Sequence, residues 1–196
     1  MSDTIKRPYG HMRRVADKIL ERFAPACVRI EAAGSLRRER PQVGDIELVA
    51  IPRFERPVMG PQMGWSEVDK LLAEFEAKGG IYIETGKKNR GHERKYVKFS
   101  FTIGADRYAC DLFLQPDPAT WGLNFMVRTG SAEFAQRMVT TKGAGGLKPD
   151  GIFIKEARVY RAALFPGAVD ELLETPEEDD IFDLWGMDFV PPQERK

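Results

Sequence analysis

Residues 34–50 read Gly-Ser-Leu-Arg-Arg-Glu-Arg-Pro-Gln-Val-Gly-Asp-Ile-Glu-Leu-Val-Ala and combine a small-residue turn, a basic cluster and the start of a strand. The turn Gly34-Ser35 lets backbone N–H groups and a hydroxyl approach an anion closely, because glycine has no Cβ in the way. Branched apolar residues and alternation predict a β-strand at 45–52. Strand side chains alternate with period 2, so Asp45 and Glu47 project from one face. Two carboxylates beside an anion-binding turn are typical of a Mg²⁺ site that carries a nucleoside triphosphate.

The basic cluster of this stretch comprises Arg37, Arg38 and Arg40, enough positive charge to hold a polyphosphate. A solvated edge strand with two surface acids after a basic turn would also account for these residues. Asp-x-Glu alone is common in proteins. The full pattern is far more specific, since Gly-Ser, two arginines, a six-residue spacer and Asp-x-Glu occur together at the start of an apolar strand.

Asp111 stands in the middle of a second predicted strand, at 107–114, whose alternation places it on the face opposite Cys110 and Leu112. An acid in such an apolar strand costs free energy unless something compensates it, and a metal ion would do so. We therefore expect Asp111 to be a third carboxylate on the face of Asp45 and Glu47. The alternative is an aspartate that simply reaches water.

The amino-acid composition indicates the general type of protein. With 42% hydrophobic and 31% charged residues, the 196-residue chain is expected to form one medium or two small globular domains. Its apolar runs are too short for a membrane span and 1–9 lacks the apolar core of a signal peptide, so we expect no membrane association. Cys27 and Cys110 are too few and too isolated for a disulfide framework or a zinc site, which favours a cytoplasmic location.

Charge is distributed unevenly although the net charge is zero. Residues 1–150 carry a net charge of +6, and residues 151–196 carry −6. Because the local field rather than the total steers binding, the basic part is still able to present a positive face to phosphates.

Hydrophobic periodicity and capping signals predict an alternating series of elements. Helices are predicted from Pro8 to before Pro25, briefly after Gly34, from an N-cap at Ser66 to Gly79, and at 121–127, 131–141 and 179–185. Strands are predicted at 27–33, 45–52, 81–84, 96–103, 107–114, 152–155 and 158–162, with a loop at 53–65. A basic loop at 87–95 is either a solvated turn or a contact for a phosphate backbone, and its His92 is expected to be exposed rather than catalytic.

The motif Gly34-Ser35-x-Arg37-Arg38, followed by Asp45-x-Glu47, resembles the signature of the DNA polymerase β superfamily of nucleotidyltransferases, and of family X DNA polymerases in particular. Three further segments line up with that family in order and spacing: Cys110-Asp111-Leu112-Phe113 with the third-carboxylate strand, Arg128-Thr129-Gly130-Ser131 and Phe134 with its Thr-Gly-Ser turn, and 178–196 with its C-terminal end. The resemblance covers the chain from Arg7 onward. It implies an α+β fold: a catalytic palm at 1–116, with a mixed β-sheet and flanking helices, and a small α/β nucleotide-binding thumb at 117–196.

By this resemblance the protein would be a DNA polymerase that adds dNMP to a primer 3′-hydroxyl and releases pyrophosphate while filling short gaps in DNA repair. Two Mg²⁺ ions, replaceable by Mn²⁺, would be held by Asp45, Glu47 and Asp111. The triphosphate-binding residues would be Gly34, Ser35, Arg37, Arg38 and Gly44, and the sugar and base side of the site would be formed by Val127, Arg128, Thr129 and Gly130. The implied partners are a dNTP and primer-template or gapped DNA, bound by a monomer.

Several positions depart from the family pattern. Glu47 stands where the polymerases usually have Asp, Val127-Arg128 where an aromatic pair is common, Ala135 where an Asn is frequent, and Tyr9 where an Arg often assists the triphosphate. We expect this protein to lack the family's usual N-terminal lyase and helix-hairpin-helix regions, and therefore to bind DNA weakly and to synthesise distributively. Two alternatives stay open: a nucleotidyltransferase acting on RNA, a protein or a small molecule, and a catalytically silent binding module of the same fold.

Overall fold

The computed structural model describes residues 5–54, 64–86, 89–165 and 167–196. Most of the predicted loop at 53–65, and Lys87 and Lys88 of the predicted basic loop, lie outside these ranges. The chain divides into two compact units, Met1–Pro116 and Asp117–Lys196. The fold is α+β, as predicted, with a mixed five-stranded sheet flanked by helices.

The first unit contains three α-helices and seven strands among its described residues. In chain order these are β1 (Arg7–Pro8), α1 (Tyr9–Phe23), β2 (Cys27–Ala32), α2 (Gly34–Arg37), β3 (Gln42–Val43), β4 (Ile46–Pro52), α3 (Glu67–Ala77), β5 (Tyr82–Thr85), β6 (Tyr96–Ile103) and β7 (Asp106–Leu114). The two-residue strands β1 and β3, which pair antiparallel with each other, were not predicted. Two residues are too few to show a hydrophobic period.

The main sheet has the strand order β2-β4-β7-β6-β5. Strands β4 and β7 are parallel, and the other neighbouring pairs are antiparallel. One face of the sheet is apolar: Ile46 and Leu48 of β4 pack with Cys110 and Leu112 of β7 in the core. Because strand side chains alternate, the next residues along β4 and β7 point to the second face.

Helices α1 and α3 cover the apolar face of this sheet. Helix α1 buries Met12, Val15 and Phe23 at helical spacing and ends before Pro25, as predicted. Helix α3 begins with the predicted capping box: Ser66 Oγ accepts the Asp69 N–H at 3.2 Å, and the Asp69 carboxylate accepts the Ser66 N–H at 2.9 Å.

Asp69 also anchors the described part of the basic loop. Its carboxylate accepts the Gly91 N–H at 2.7 Å and lies 2.9 Å from Arg94 Nε. Arg94 is only 1% exposed, so the interpretation of this loop as a solvated turn is wrong for that residue. His92 is exposed, as expected, and its ring stacks on Phe54 with the centroids 4.0 Å apart.

The second unit packs three helices against a small sheet. Its elements are α4 (Trp121–Thr129), α5 (Ala132–Val139), β8 (Ile152–Lys155), β9 (Arg158–Arg161), β10 (Glu171–Leu173) and α6 (Glu178–Trp185). The antiparallel order is β10-β9-β8. Strand β10 was not predicted, because it is short and lies in an acidic segment without clear alternation.

A buried ion pair ties the end of the chain to α6. Arg195 Nη1 donates to Glu178 Oε1 at 2.5 Å, and both residues are at least 95% buried. The Arg195 guanidinium also lies 5.3–5.4 Å from the ring centroids of Phe134, Phe182 and Phe189. Aromatic faces favour a nearby cation, so the second unit holds this arginine without exposing it to water.

Within the four described ranges, no helix combines the length and the apolar content needed to cross a bilayer.

The two cysteines are expected to be inert in the folded protein. Both are free and buried; burial raises the pKa of Cys27 to about 12 and that of Cys110 well above the usual thiol value. Since the thiolate is the nucleophile, neither should react with a thiol reagent such as DTNB at pH 8 until the chain is unfolded in guanidinium. Rapid labelling of a stoichiometric thiol in the native state would contradict this burial.

Candidate active site

The pairing of β4 with β7 brings two of the three predicted carboxylates together. In this parallel pair Glu47 stands opposite Asp111, and Ile46 stands opposite Cys110. Because Ile46 and Cys110 face the core, Glu47 and Asp111 share the second face of the sheet on adjacent strands. Neighbouring strands lie only about 4.8 Å apart, so these two side chains are immediate neighbours.

Asp45 lies one residue before β4 and is electrostatically coupled to Asp111. Its pKa is raised above the usual carboxyl value, first by burial and then by the negative charge of Asp111, while the charge of Lys98 opposes the shift. We refer to Asp45, Glu47 and Asp111 together as the acidic cluster, because Asp111 is next to Glu47 and its negative charge acts on Asp45.

Asp111 is compensated by side chains that the sequence analysis did not single out. Asp111 is 8% exposed, and its Oδ1 accepts a hydrogen bond from the Tyr96 hydroxyl. The Lys98 Nζ lies 3.6 Å from its Oδ2. Strand β6 places both groups there, since Lys98 stands directly opposite Asp111 in the β6–β7 register. The alternation of residues 96–103 in the sequence predicts that Tyr96 and Lys98 lie on one face of their strand. Only the pairing of β6 with β7 shows that this face is next to Asp111.

Gly34 approaches the side chain of Glu47 closely. Its φ is +58°, and a Cβ added there would lie 1.6 Å from Glu47 Oε2. The preceding residue, Ala33, donates its N–H to the Glu47 carbonyl oxygen at 2.8 Å. The space left by the absent Cβ is thus filled by the Glu47 carboxylate, and the Gly34-Ser35 turn is docked on that side chain.

A cationic cleft of about 660 Å³ opens beside Asp45. Among its lining residues are Lys6, Ser35, Arg38, Arg40, Gly44 and Asp45. Three of these six are cationic and one, Asp45, is acidic, which suits a polyanion that extends as far as Asp45. Of the predicted triphosphate-binding residues, Ser35, Arg38 and Gly44 line the cleft, whereas Gly34 and Arg37 do not.

Lys6 was missed by the sequence analysis. The antiparallel pairing of β1 with β3 sets Arg7 opposite Val43, which brings the preceding Lys6 alongside the segment that leads to Asp45. Tyr9 strengthens this pairing by donating its N–H to the Pro41 carbonyl oxygen at 3.1 Å. The sequence contains no indication of this position, because a two-residue strand is too short to show a hydrophobic period.

Backbone hydrogen bonds hold the arginine segment in a tight turn after α2. The Arg38 N–H donates to the Gly34 carbonyl oxygen and the Arg40 N–H donates to that of Ser35, each at 3.1 Å. Glu39, between the two arginines, has a left-handed φ of 53°. This turn presents Arg38 and Arg40 to the same cleft.

The residues predicted for the sugar and base side lie at the end of α4 in the second unit. Arg128 is exposed, Thr129 is fully buried, and Val127 and Gly130 are half-buried. Val127 packs against the apolar core of that unit. A Cβ on Gly130 would lie 2.7 Å from Phe134 Cδ1, so glycine permits the close turn into α5. The N-cap of α5 is Ser131, as predicted, whose Oγ accepts the Phe134 N–H at 3.1 Å.

The donor types of the acidic cluster fit a hard divalent cation. Carboxylate oxygens are the ligands that Mg²⁺ prefers, and a cation would offset the burial and the negative charge of Asp111 that raise the pKa of Asp45. In the part of the chain that the structure describes, however, no three His, Cys, Asp or Glu side chains are arranged around one point suitable for a metal. The Glu47 carboxylate lies against Gly34, and that of Asp111 is engaged by Tyr96 and Lys98.

Asp45→Asn is expected to raise the free energy of unfolding at pH 7 when EDTA is present. The raised folded-state pKa means that the folded chain holds this proton more tightly than the unfolded chain. The ionised Asp45 therefore destabilises the fold at neutral pH, and this penalty disappears as the pH falls below the raised pKa toward about 4.

Thermal melting tests this expectation, since a gain of 1 kcal/mol raises Tm by about 2–4 °C in a chain of this size. The advantage of Asp45→Asn should shrink as the pH is lowered. Asp188→Asn, at an exposed carboxyl, serves as the control and should leave Tm nearly unchanged. An Asp45→Asn variant that melts below the wild type at pH 7 would contradict a destabilising effect of the buried, ionised Asp45.

Comparison of the sequence with models of known protein families gave no match, and comparison with curated proteins gave none either.

Proposed function

We propose that this protein is a Mg²⁺-dependent nucleotidyltransferase of the family X DNA polymerase type, which adds dNMP to the 3′-hydroxyl of a DNA primer. The observation that supports it best is the parallel register that sets Glu47 beside Asp111, with Asp45 two residues before Glu47. If Asp45 and Glu47 were ordinary surface acids, there would be no reason for a second strand, far away in the sequence, to place a third carboxylate directly opposite Glu47.

In the proposed reaction the primer 3′-oxygen attacks the α-phosphorus of a dNTP, and the bond from that phosphorus to the bridging oxygen of the β-phosphate breaks. Pyrophosphate leaves with the electron pair of that bond. Asp45, Glu47 and Asp111 would hold the divalent cations, which, when bound, supply charge neutralisation and a lower pKa for the attacking hydroxyl. Asp111 would accept the hydroxyl proton, and the hydrogen bond from Tyr96 to its Oδ1 would orient the carboxylate for this role.

The cleft provides the electrostatic part of the proposal. Lys6, Arg38 and Arg40 would bind the β- and γ-phosphates while Ser35 contributes a hydroxyl donor. Positive groups fixed in place stabilise the charge that develops on the leaving pyrophosphate without reorganising. Nucleotidyl transfer depends mostly on positioning and charge neutralisation, and these side chains suffice for both.

Nucleotide incorporation measured on gapped, nicked and single-stranded DNA and on RNA, with each dNTP and with Mg²⁺ or Mn²⁺, tests the proposal. Templated addition to gapped DNA is expected. Transfer without a template, or only to RNA, a protein or a small-molecule hydroxyl, would reject the polymerase assignment while keeping nucleotidyl transfer. No transfer to any of these acceptors would overturn the proposal in favour of a binding module.

Arg38→Ala is expected to raise the KM for the dNTP about ten-fold, because a charge-assisted contact to phosphate is lost. Steady-state incorporation over a range of dNTP concentrations measures this change. Arg37→Ala is a matched control, since Arg37 neighbours Arg38 without lining the cleft, and its KM should change much less. Equal KM values for Arg38→Ala and the wild type would argue against phosphate binding in the cleft.

A further inference from the structure

We propose that Lys98 is a built-in cation that competes with a divalent metal ion for Asp111 and thereby weakens cation binding at the acidic cluster. This inference rests on the proposed function, in which Asp111 is a cation ligand. Lys98 is a positioning residue in this scheme, because it acts through the carboxylate of Asp111.

The first support is the geometry of the ion pair. Lys98 stands directly opposite Asp111 on the neighbouring strand, and its Nζ lies 3.6 Å from Asp111 Oδ2. The Tyr96 hydroxyl engages the other oxygen, Oδ1. The two carboxylate oxygens are thus divided between a neutral donor and a cation, and a metal ion that binds through Oδ2 must displace the ammonium group.

The second support is the place of Lys98 in the sheet. Lys98 stands opposite Asp111 on β6, and Glu47 stands opposite Asp111 on β4. The Lys98 ammonium therefore lies on the face of the sheet that carries both carboxylates, where a positive charge is favoured. A divalent cation at the same place would be repelled by the ammonium for as long as Lys98 remained there.

The third support is that Lys98 is able to leave. A separation of 3.6 Å is longer than a hydrogen bond, and 34% of the Lys98 side chain is exposed, compared with 12% for Asp111. The long flexible stem of lysine allows the ammonium to move to water when a cation takes its place. Lys98 thus stabilises the acidic cluster before a cation binds and lowers the cation affinity of the cluster.

Mn²⁺ binding provides a test that does not depend on activity. The dissociation constant is obtained from the electron paramagnetic resonance signal of free Mn²⁺ in titrations of the full chain. We expect K98M to bind Mn²⁺ about ten-fold more tightly than the wild type, the scale typical of groups that neighbour metal ligands. K98R retains the charge and should bind like the wild type. K78M is the matched control, because Lys78 is an exposed lysine paired with Glu74 in α3.

The outcomes separate this inference from the proposed function. Equal or weaker Mn²⁺ binding by K98M, in a protein whose wild type transfers nucleotides, would overturn the role of Lys98 alone. Absence of Mn²⁺ binding in both the wild type and K98M would overturn the cation site and the proposed function with it. Should K98M fail to fold, K98Q gives the same comparison, and the rise in Tm on adding Mn²⁺ should be larger for K98Q than for the wild type.

Discussion

Asp111→Asn is expected to lower the rate of nucleotidyl transfer by roughly a thousand-fold or more, on the scale seen when a charge-stabilising group is removed from an active site. The amide cannot accept the proton of the attacking hydroxyl, and it removes one negative charge from the acidic cluster. Asp111→Ala should abolish transfer as well. Single-turnover incorporation at saturating dNTP measures the loss.

The fold should survive these changes at Asp111. Asparagine keeps an oxygen that accepts the Tyr96 hydroxyl, and Lys98 is exposed enough to return to water. We therefore expect circular dichroism spectra like that of the wild type. Asp106→Asn, at the exposed start of the same strand, is the matched control and should retain nearly full activity. Full activity in a folded Asp111→Asn protein would remove Asp111 from the proposed site.

Gly34→Ala is expected to destabilise the protein by about 3 kcal/mol and to suppress nucleotidyl transfer. Two costs combine, because alanine is strained at a φ of +58° and its Cβ would lie 1.6 Å from Glu47 Oε2 and 2.4 Å from Glu47 Cδ. The Glu47 carboxylate must then move away from the Gly34-Ser35 turn. Equilibrium unfolding in urea measures the first effect, and incorporation assays measure the second.

Two further variants separate the strain from the clash. Gly104 has a φ of +63° and an added Cβ there meets nothing within 4 Å, so Gly104→Ala reports the backbone strain alone. In the Glu47→Ala background the contacts with Oε2 and Cδ are removed and only the Cβ of residue 47, at 3.1 Å, stays close, so Gly34→Ala should then cost only slightly more than Gly104→Ala does. A Gly34→Ala variant as stable and active as Gly104→Ala would show that contact between Glu47 and the turn is unimportant.

Local signals predicted most of the main elements. Strand β6 occupies Tyr96–Ile103 as its clean alternation indicated, and α3 begins at the capping box formed by Ser66 and Asp69. The short strands β1, β3 and β10 were missed, because their stability comes from partners across the sheet rather than from their own residues. The burial of Arg94 was not predicted for the same reason, because it depends on the ion pair with Asp69 in a different element.

By itself the sequence determined which residues alternate along each strand. It therefore predicted that Asp45 and Glu47 lie on the same face of one strand, and that Tyr96 and Lys98 lie on the same face of another strand. Only the tertiary structure decided that the two faces adjoin at Asp111, that Glu47 fills the space beside Gly34, and that Lys6 joins the arginines of the cleft. The physical reason is that side-chain period is a local property of the backbone. Which strands become neighbours depends instead on burying apolar faces and pairing backbone groups across the whole unit.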